Sequence, residues 1–122
     1  MKNLLTITAI IEVFTGIVLL IIPPAAVSLL LGDSLTEQSR ILLDRMCGIA
    51  LISLSVACWM ARRNPQSSAT MIRALVLYNF GAAMLLLYAG AFGHFSGIGL
   101  WPTVLLHIAL LVWCFQSLRQ KK

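Results

Sequence analysis

The chain has 122 residues, of which 60% are hydrophobic and only 11% charged, with a formal net charge of +5 and a mean hydropathy of +0.95. A soluble domain carries about a quarter charged residues, so a water-facing surface cannot be built from so few, and a lipid bilayer must take the place of water. The positive balance does not point to nucleic acid, because Lys and Arg sit at the ends of apolar runs and not in a basic patch with polar neighbours.

A helix needs about 20 mostly apolar residues to cross a bilayer, and four stretches qualify, at 4–22, 41–61, 70–92 and 100–117. The expected fold is therefore all-α: one domain, 1–122, forming an integral-membrane bundle of four transmembrane helices. The first stretch, Leu4 to Ile22, is longer than a signal-peptide core and no small-x-small cleavage site follows it, so it reads as a retained span. Pro23-Pro24 ends it, since each proline removes a donor and clashes with the preceding turn. The next segment, 25–31, is apolar but too short to cross, and reads as a short interfacial helix capped by Gly32. Arg62-Arg63-Asn64-Pro65 closes the second span, glycines loosen the connection between the third and fourth, and Trp101-Pro102 opens the last.

Orientation follows from the distribution of Lys and Arg. Lys2, Arg62, Arg63, Arg119, Lys121 and Lys122 fall at one end, whereas the other end has only Arg40, beside Asp33 and Glu37. Both termini are accordingly expected in the cytoplasm, with the protein in the cell inner membrane. The three cysteines, Cys47, Cys58 and Cys114, lie inside apolar runs without a C-x-x-C pair and read as buried thiols.

Ionisable groups inside spans are costly and often functional. Placed at 100° per residue, Glu12 shares a face with Thr8, Ala9, Thr15 and Gly16, and Asp44 with Cys47, Gly48, Ser55 and Cys58. Asn79 aligns with Leu75, Ala82, Ala83, Gly90 and Gly93, and His107 with Thr103, Leu110 and Cys114. Helices in lipid associate through small residues and interhelical hydrogen bonds, so these four stripes should face protein. Arg45, with Ile49, Ile52, Val56 and Trp59, and Arg73, with Leu77, Phe80, Met84 and Tyr88, mark lipid-facing flanks from which a long side chain can snorkel to the headgroups.

Glu12, Asn79 and His107 all fall near mid-span and could converge there, with Asp44 roughly 10 Å toward the outer face; Arg45, if not an interfacial anchor, could pair with Glu12 or with Asp44 of a neighbouring copy. Two roles fit such a cluster: a hydrogen-bonded clamp in which Glu12 pairs with His107, or a site binding a proton or small solute. Neither metal nor other cofactor is expected. Glu12 and His107 lack a third ligand, a haem would need a second axial ligand level with His107, and no phosphate loop or nucleophile motif is present. The aromatic residues, Tyr78 among them, read as packing or interface-belt residues.

The stretch Ala9-Ile10-Ile11-Glu12-Val13 through Gly16 resembles the first helix of small multidrug resistance transporters. That resemblance implies that Glu12 binds a proton or a cationic drug. The four-helix layout looks like the small bacterial membrane proteins grouped with DoxX, which implies an inner-membrane location. The expectation is thus a transporter-like or ligand-binding protein, not an enzyme, whose surroundings are the lipid bilayer and either further copies of itself or a larger membrane partner. The alternatives are a non-enzymatic membrane subunit and an intramembrane redox subunit.

Overall fold

A computed structural model describes residues 1–32 and 38–120, with the side chains of residues 38 and 39 left aside; Asp33, Glu37, Lys121 and Lys122, used above for orientation, lie outside the described residues. The described residues are helical throughout their regular structure: α1 (Lys2–Ile21), α2 (Pro23–Leu31), α3 (Gln38–Ala61), α4 (Pro65–Ala91) and α5 (Leu100–Arg119). All but α2 are long and apolar enough to cross a membrane. Their outward flanks are correspondingly hydrocarbon, with Phe14, Met60, Leu77, Leu85 and Leu105 each about two-thirds exposed or more. Exposed apolar surface of this extent marks a membrane or protein interface.

Residue chemistry explains the element ends. α1 stops at Ile21, because Pro23 supplies no amide hydrogen to continue the ladder and instead starts α2 in its first turn. Gly32 ends α2 in the left-handed conformation (φ 74°), its amide donating to the Ser28 carbonyl, as the sequence suggested. The start of α4 corrects the sequence reading, which began that helix near residue 70. Asn64, in extended conformation, accepts hydrogen bonds on Oδ1 from Gln66 N (2.8 Å) and Ser67 N (3.2 Å), and Pro65 occupies the first turn. A cap of this kind starts a helix through polar residues that hydropathy alone would leave in the loop.

The helices assemble as two tight pairs. α1 packs antiparallel on α3 along a seam of small residues. A Cβ at Gly16 would lie 2.7 Å from the Gly48 carbonyl oxygen, and one at Gly48 equally close to that of Gly16, so the backbones touch where neither has a side chain. Toward the N-terminal end the seam continues with Ser55 Oγ donating to the Ala9 carbonyl at 2.7 Å. At its end Arg62 Nη1 reaches Thr6 Oγ1 at 3.4 Å, while its guanidinium covers the Trp59 ring at 3.3 Å. Ile52, expected on a lipid-facing flank, instead packs against Gly16, because the missing side chain there admits it. Cys47 departs from its expectation in the other direction: it is exposed, and only Cys58 and Cys114 are buried.

The second pair, α4 and α5, joins the first through a core of Leu4, Leu5, Ala9, Cys58, Ile72, Leu75, Leu110 and Cys114. Met1 and Leu118 pack against this core, so the basic residues Lys2, Arg62 and Arg119 gather at one end of the bundle. At the opposite end α2 is tied down by its own C-terminal carbonyls. Leu29 O accepts from Gly99 N (2.8 Å) and Leu31 O from Ser96 N (3.2 Å), satisfying acceptors that a helix end leaves unpaired. Gly97 makes this contact possible, since any Cβ there would run into the Leu30 carbonyl. α2 thus lies as a short lid across the end of the bundle remote from the N-terminus.

Candidate functional site

Glu12, halfway along α1, is 3% exposed. Its Oε2 accepts a hydrogen bond from the Tyr78 hydroxyl on α4 at 3.3 Å. Tyr78 and Asn79 are consecutive on α4 and so point about 100° apart, the phenol toward α1 and the amide toward α5. Asn79 is fully buried. Its Nδ2 donates to the Leu75 carbonyl at 2.8 Å, and its Oδ1 lies 2.9 Å from His107 Nδ1.

These two contacts define the histidine tautomer. A carbonyl only accepts, so the amide nitrogen must face Leu75 and the amide oxygen must face the ring. His107 Nδ1 therefore carries the hydrogen and donates it to Asn79. In the neutral ring Nε2 is then left as an acceptor. The Tyr78 and His107 rings meet edge to face, centroids 5.7 Å apart, completing a continuous polar string Glu12–Tyr78–His107–Asn79 across α1, α4 and α5.

Glu12, Tyr78 and His107 of this string line one wall of a cavity of about 360 Å³, bounded by α1, α4, α5 and the lid α2. The remaining wall is hydrocarbon, including Ile11, Leu19, Val27, Leu30 and Leu110. Thr15 and Thr103 also border the cavity, but their hydroxyls donate within their own helices, to Ile11 O (2.9 Å) and Gly99 O (2.7 Å). The polar capacity of the cavity is thus concentrated at Glu12, Tyr78 and His107.

The structure brings together three of the five residues singled out from sequence. Glu12, Asn79 and His107 belong to the string, though Glu12 meets Tyr78 and not the imidazole directly. Asp44 is half-buried on α3, one turn beyond Gly48, and does not line the cavity; its Oδ2 is buried without a hydrogen-bond partner among the described residues, and Arg40, one turn before it, is its charged neighbour. Arg45 is exposed and lies outside the cavity wall as well. The residue that sequence reasoning passed over is Tyr78. Interface-belt aromatics sit near span ends, whereas Tyr78 lies in the middle of α4 beside Asn79, where a hydroxyl needs a partner.

Among the described residues no three His, Cys, Asp or Glu side chains group as a metal site requires. His94, the other histidine, is exposed in the connection before α5, far along the chain from the mid-helix position of His107. Comparison of the chain with protein-family models, with curated proteins and with solved structures returned no match.

Proposed function

We propose that this chain is an inner-membrane protein with both termini in the cytoplasm, and that the Glu12–Tyr78–His107–Asn79 string binds a proton or a small solute within the bilayer. The observation that carries the reading is the cavity: a carboxyl and an imidazole line the same space, which is large enough for a ligand. A purely structural clamp needs the hydrogen bonds but has no use for the space beside them. The gathering of Lys2, Arg62 and Arg119 at one end supports the orientation. The resemblance of the Glu12 segment to the first helix of small multidrug resistance transporters fits a proton-binding carboxyl there.

Glu12→Gln tests the reading directly. In lipid nanodiscs the wild-type protein should show an infrared carboxyl band that responds as pH is stepped. The variant should lack that band while keeping its size by exclusion chromatography. A band unchanged in the variant would show that Glu12 does not titrate, and the proton-binding reading would fail.

One observation favours a second reading, assembly. The Tyr78–Glu12 bond links the α1–α3 pair to the α4–α5 pair, and the wide apolar flanks would seat further copies or a larger membrane protein. If Glu12→Gln falls apart in mild detergent, or a larger protein co-purifies in fixed ratio, the site serves assembly.

A further inference from the structure

The cavity has an asymmetric mouth. Toward the end of the bundle it is roofed by α2, which the Gly99–Leu29 and Ser96–Leu31 hydrogen bonds hold in place. On its side, between α1, α2 and α5, it is edged by Phe14 (68% exposed), Leu29 (58%), Val18 (39%) and Leu106 (37%). This rim bears no charge, and the Thr15 hydroxyl beside it is turned back to the Ile11 carbonyl at 2.9 Å. A molecule arriving from water meets the lid, whereas a molecule dissolved among acyl chains meets an apolar opening at the level of the cavity.

The inside is asymmetric too. The polar string stands at mid-depth, and from there to α2 the wall is hydrocarbon apart from the Thr15 and Thr103 hydroxyls, which donate within their own helices. The Tyr78 hydrogen is already given to Glu12, and the Nδ1 hydrogen of His107 to Asn79. While Glu12 is ionised, what remains for a ligand is a set of acceptors, His107 Nε2 and the second carboxyl oxygen of Glu12, with the weaker Thr15 and Thr103 hydroxyl oxygens beside them. A head group that complements them must donate. A quaternary ammonium has no hydrogen to give Nε2, and of the aromatic residues on the wall Tyr78 and His107 are engaged edge to face with each other while Phe14 stands at the exposed rim. A ketone or ester head brings only a further acceptor while Glu12 is ionised.

Resting on the reading of this cluster as a binding site in the bilayer, we propose that its ligand is a neutral lipophilic alcohol or phenol that enters sideways from the membrane. Its hydroxyl donates to His107 Nε2 or Glu12 at mid-depth, and its hydrocarbon lies along Leu19, Val27 and Leu30 beneath α2. A dry cavity of about 150 Å³ holds benzene, so a volume of about 360 Å³ takes a ring with a short alkyl chain.

The test uses 4-hexylphenol, titrated calorimetrically into the full-length protein in phosphatidylcholine nanodiscs, with empty nanodiscs measuring simple partitioning. Saturable binding above the partitioning background is expected. Hexylbenzene, which lacks the hydroxyl, should bind roughly two- to tenfold more weakly, the loss of one hydrogen bond. Leu29→Trp and Leu106→Trp, substitutions at exposed rim positions that leave the core untouched, should each abolish saturable binding by filling the mouth. Equal binding of hexylphenol and hexylbenzene overturns the head-group assignment. Undiminished binding in both rim variants overturns the sideways route, and tighter binding of hexyltrimethylammonium overturns the neutral class. If hexylphenol fails to bind while the Glu12 carboxyl band still titrates, this ligand assignment falls and the binding-site reading stands. If the band does not titrate either, both fall.

Discussion

The Asn79 amide has one measurable consequence apart from stability: it dictates which nitrogen of His107 carries the hydrogen. Free histidine favours the Nε2–H form, which would turn Nε2 from an acceptor into a donor. In the folded protein the 2.9 Å contact from Nδ1 to Asn79 Oδ1 reverses that preference. Asn79→Leu keeps the side-chain size but removes the acceptor. Interhelical hydrogen bonds inside membrane proteins contribute about 0.6 kcal/mol on average and up to about 1.7. The ratio of Nδ1–H to Nε2–H should therefore fall roughly 3- to 20-fold in the variant. Solid-state NMR of ¹⁵N-histidine-labelled protein in bilayers, at a pH where the imidazole is neutral, reads this ratio from the two ring-nitrogen shifts. The exposed His94 provides an internal reference in the same spectrum. Because Leu75 O remains in the helix ladder, the fold should survive with a loss of about 1–2 kcal/mol. An unchanged tautomer ratio in Asn79→Leu would refute the assigned roles of the amide, and with them the free acceptor on which the ligand chemistry depends.

The seam between α1 and α3 makes a stability prediction. Gly48→Leu places a Cβ 2.7 Å from the Gly16 carbonyl oxygen, so it should cost about 1–3 kcal/mol in overpacking and about 0.6 kcal/mol more if the Ser55–Ala9 bond opens. Unfolding in sodium dodecyl sulfate followed by tryptophan fluorescence measures this, and a change below about 0.5 kcal/mol would show that the seam is looser than described. Gly97→Ala should lift α2 from the connection before α5, speeding hydrogen exchange at the Ser96 and Gly99 amides by about tenfold or more; unaltered exchange would mean that the lid is not held there. For orientation, in a cysteine-free background Ser96→Cys should react with an impermeant maleimide added outside intact cells and Ser67→Cys should not, and the reverse pattern would invert the topology.

Much of the fold is legible because lipid imposes a simple code. Four long apolar runs, the Pro23–Pro24 break and the Gly32 cap are local signals, and the helices follow them within a few residues. The Asn64-Pro65 start of α4 was also written locally, but as a capping signal within a polar stretch that a hydropathy window passes over. Which helices pair was not legible. Gly16 and Gly48 each fell on the expected protein-facing stripe, yet any stripe of small residues can meet any other until tertiary packing selects one. The same ambiguity misplaced Ile52, whose position on an apolar flank says nothing of a glycine opposite. At the site, the mid-helix depth of Glu12, Asn79 and His107 was readable from spacing. Their connection through Tyr78 was not, since it depends on α4 standing between α1 and α5 with two consecutive residues turned to different neighbours.

The cavity bears on whether the polar string is a clamp or a site. Left unfilled, an apolar void forfeits the contacts of its lining, so a space of about 360 Å³ calls for an occupant. An open mouth relieves that cost by admitting an occupant, and the rim of Phe14, Val18, Leu29 and Leu106 admits hydrocarbon. Acyl chains can fill the apolar part, but they have nothing to offer Nε2 of His107 or the free oxygen of Glu12. Larger side chains at Thr15, Ala26 and Thr103, all bordering the space, would narrow it and leave every hydrogen bond of the string intact. A clamp would gain from that closure. The small residues along the wall preserve the space and the two acceptors together, which is the combination that a ligand with a hydrocarbon body and a donating head requires.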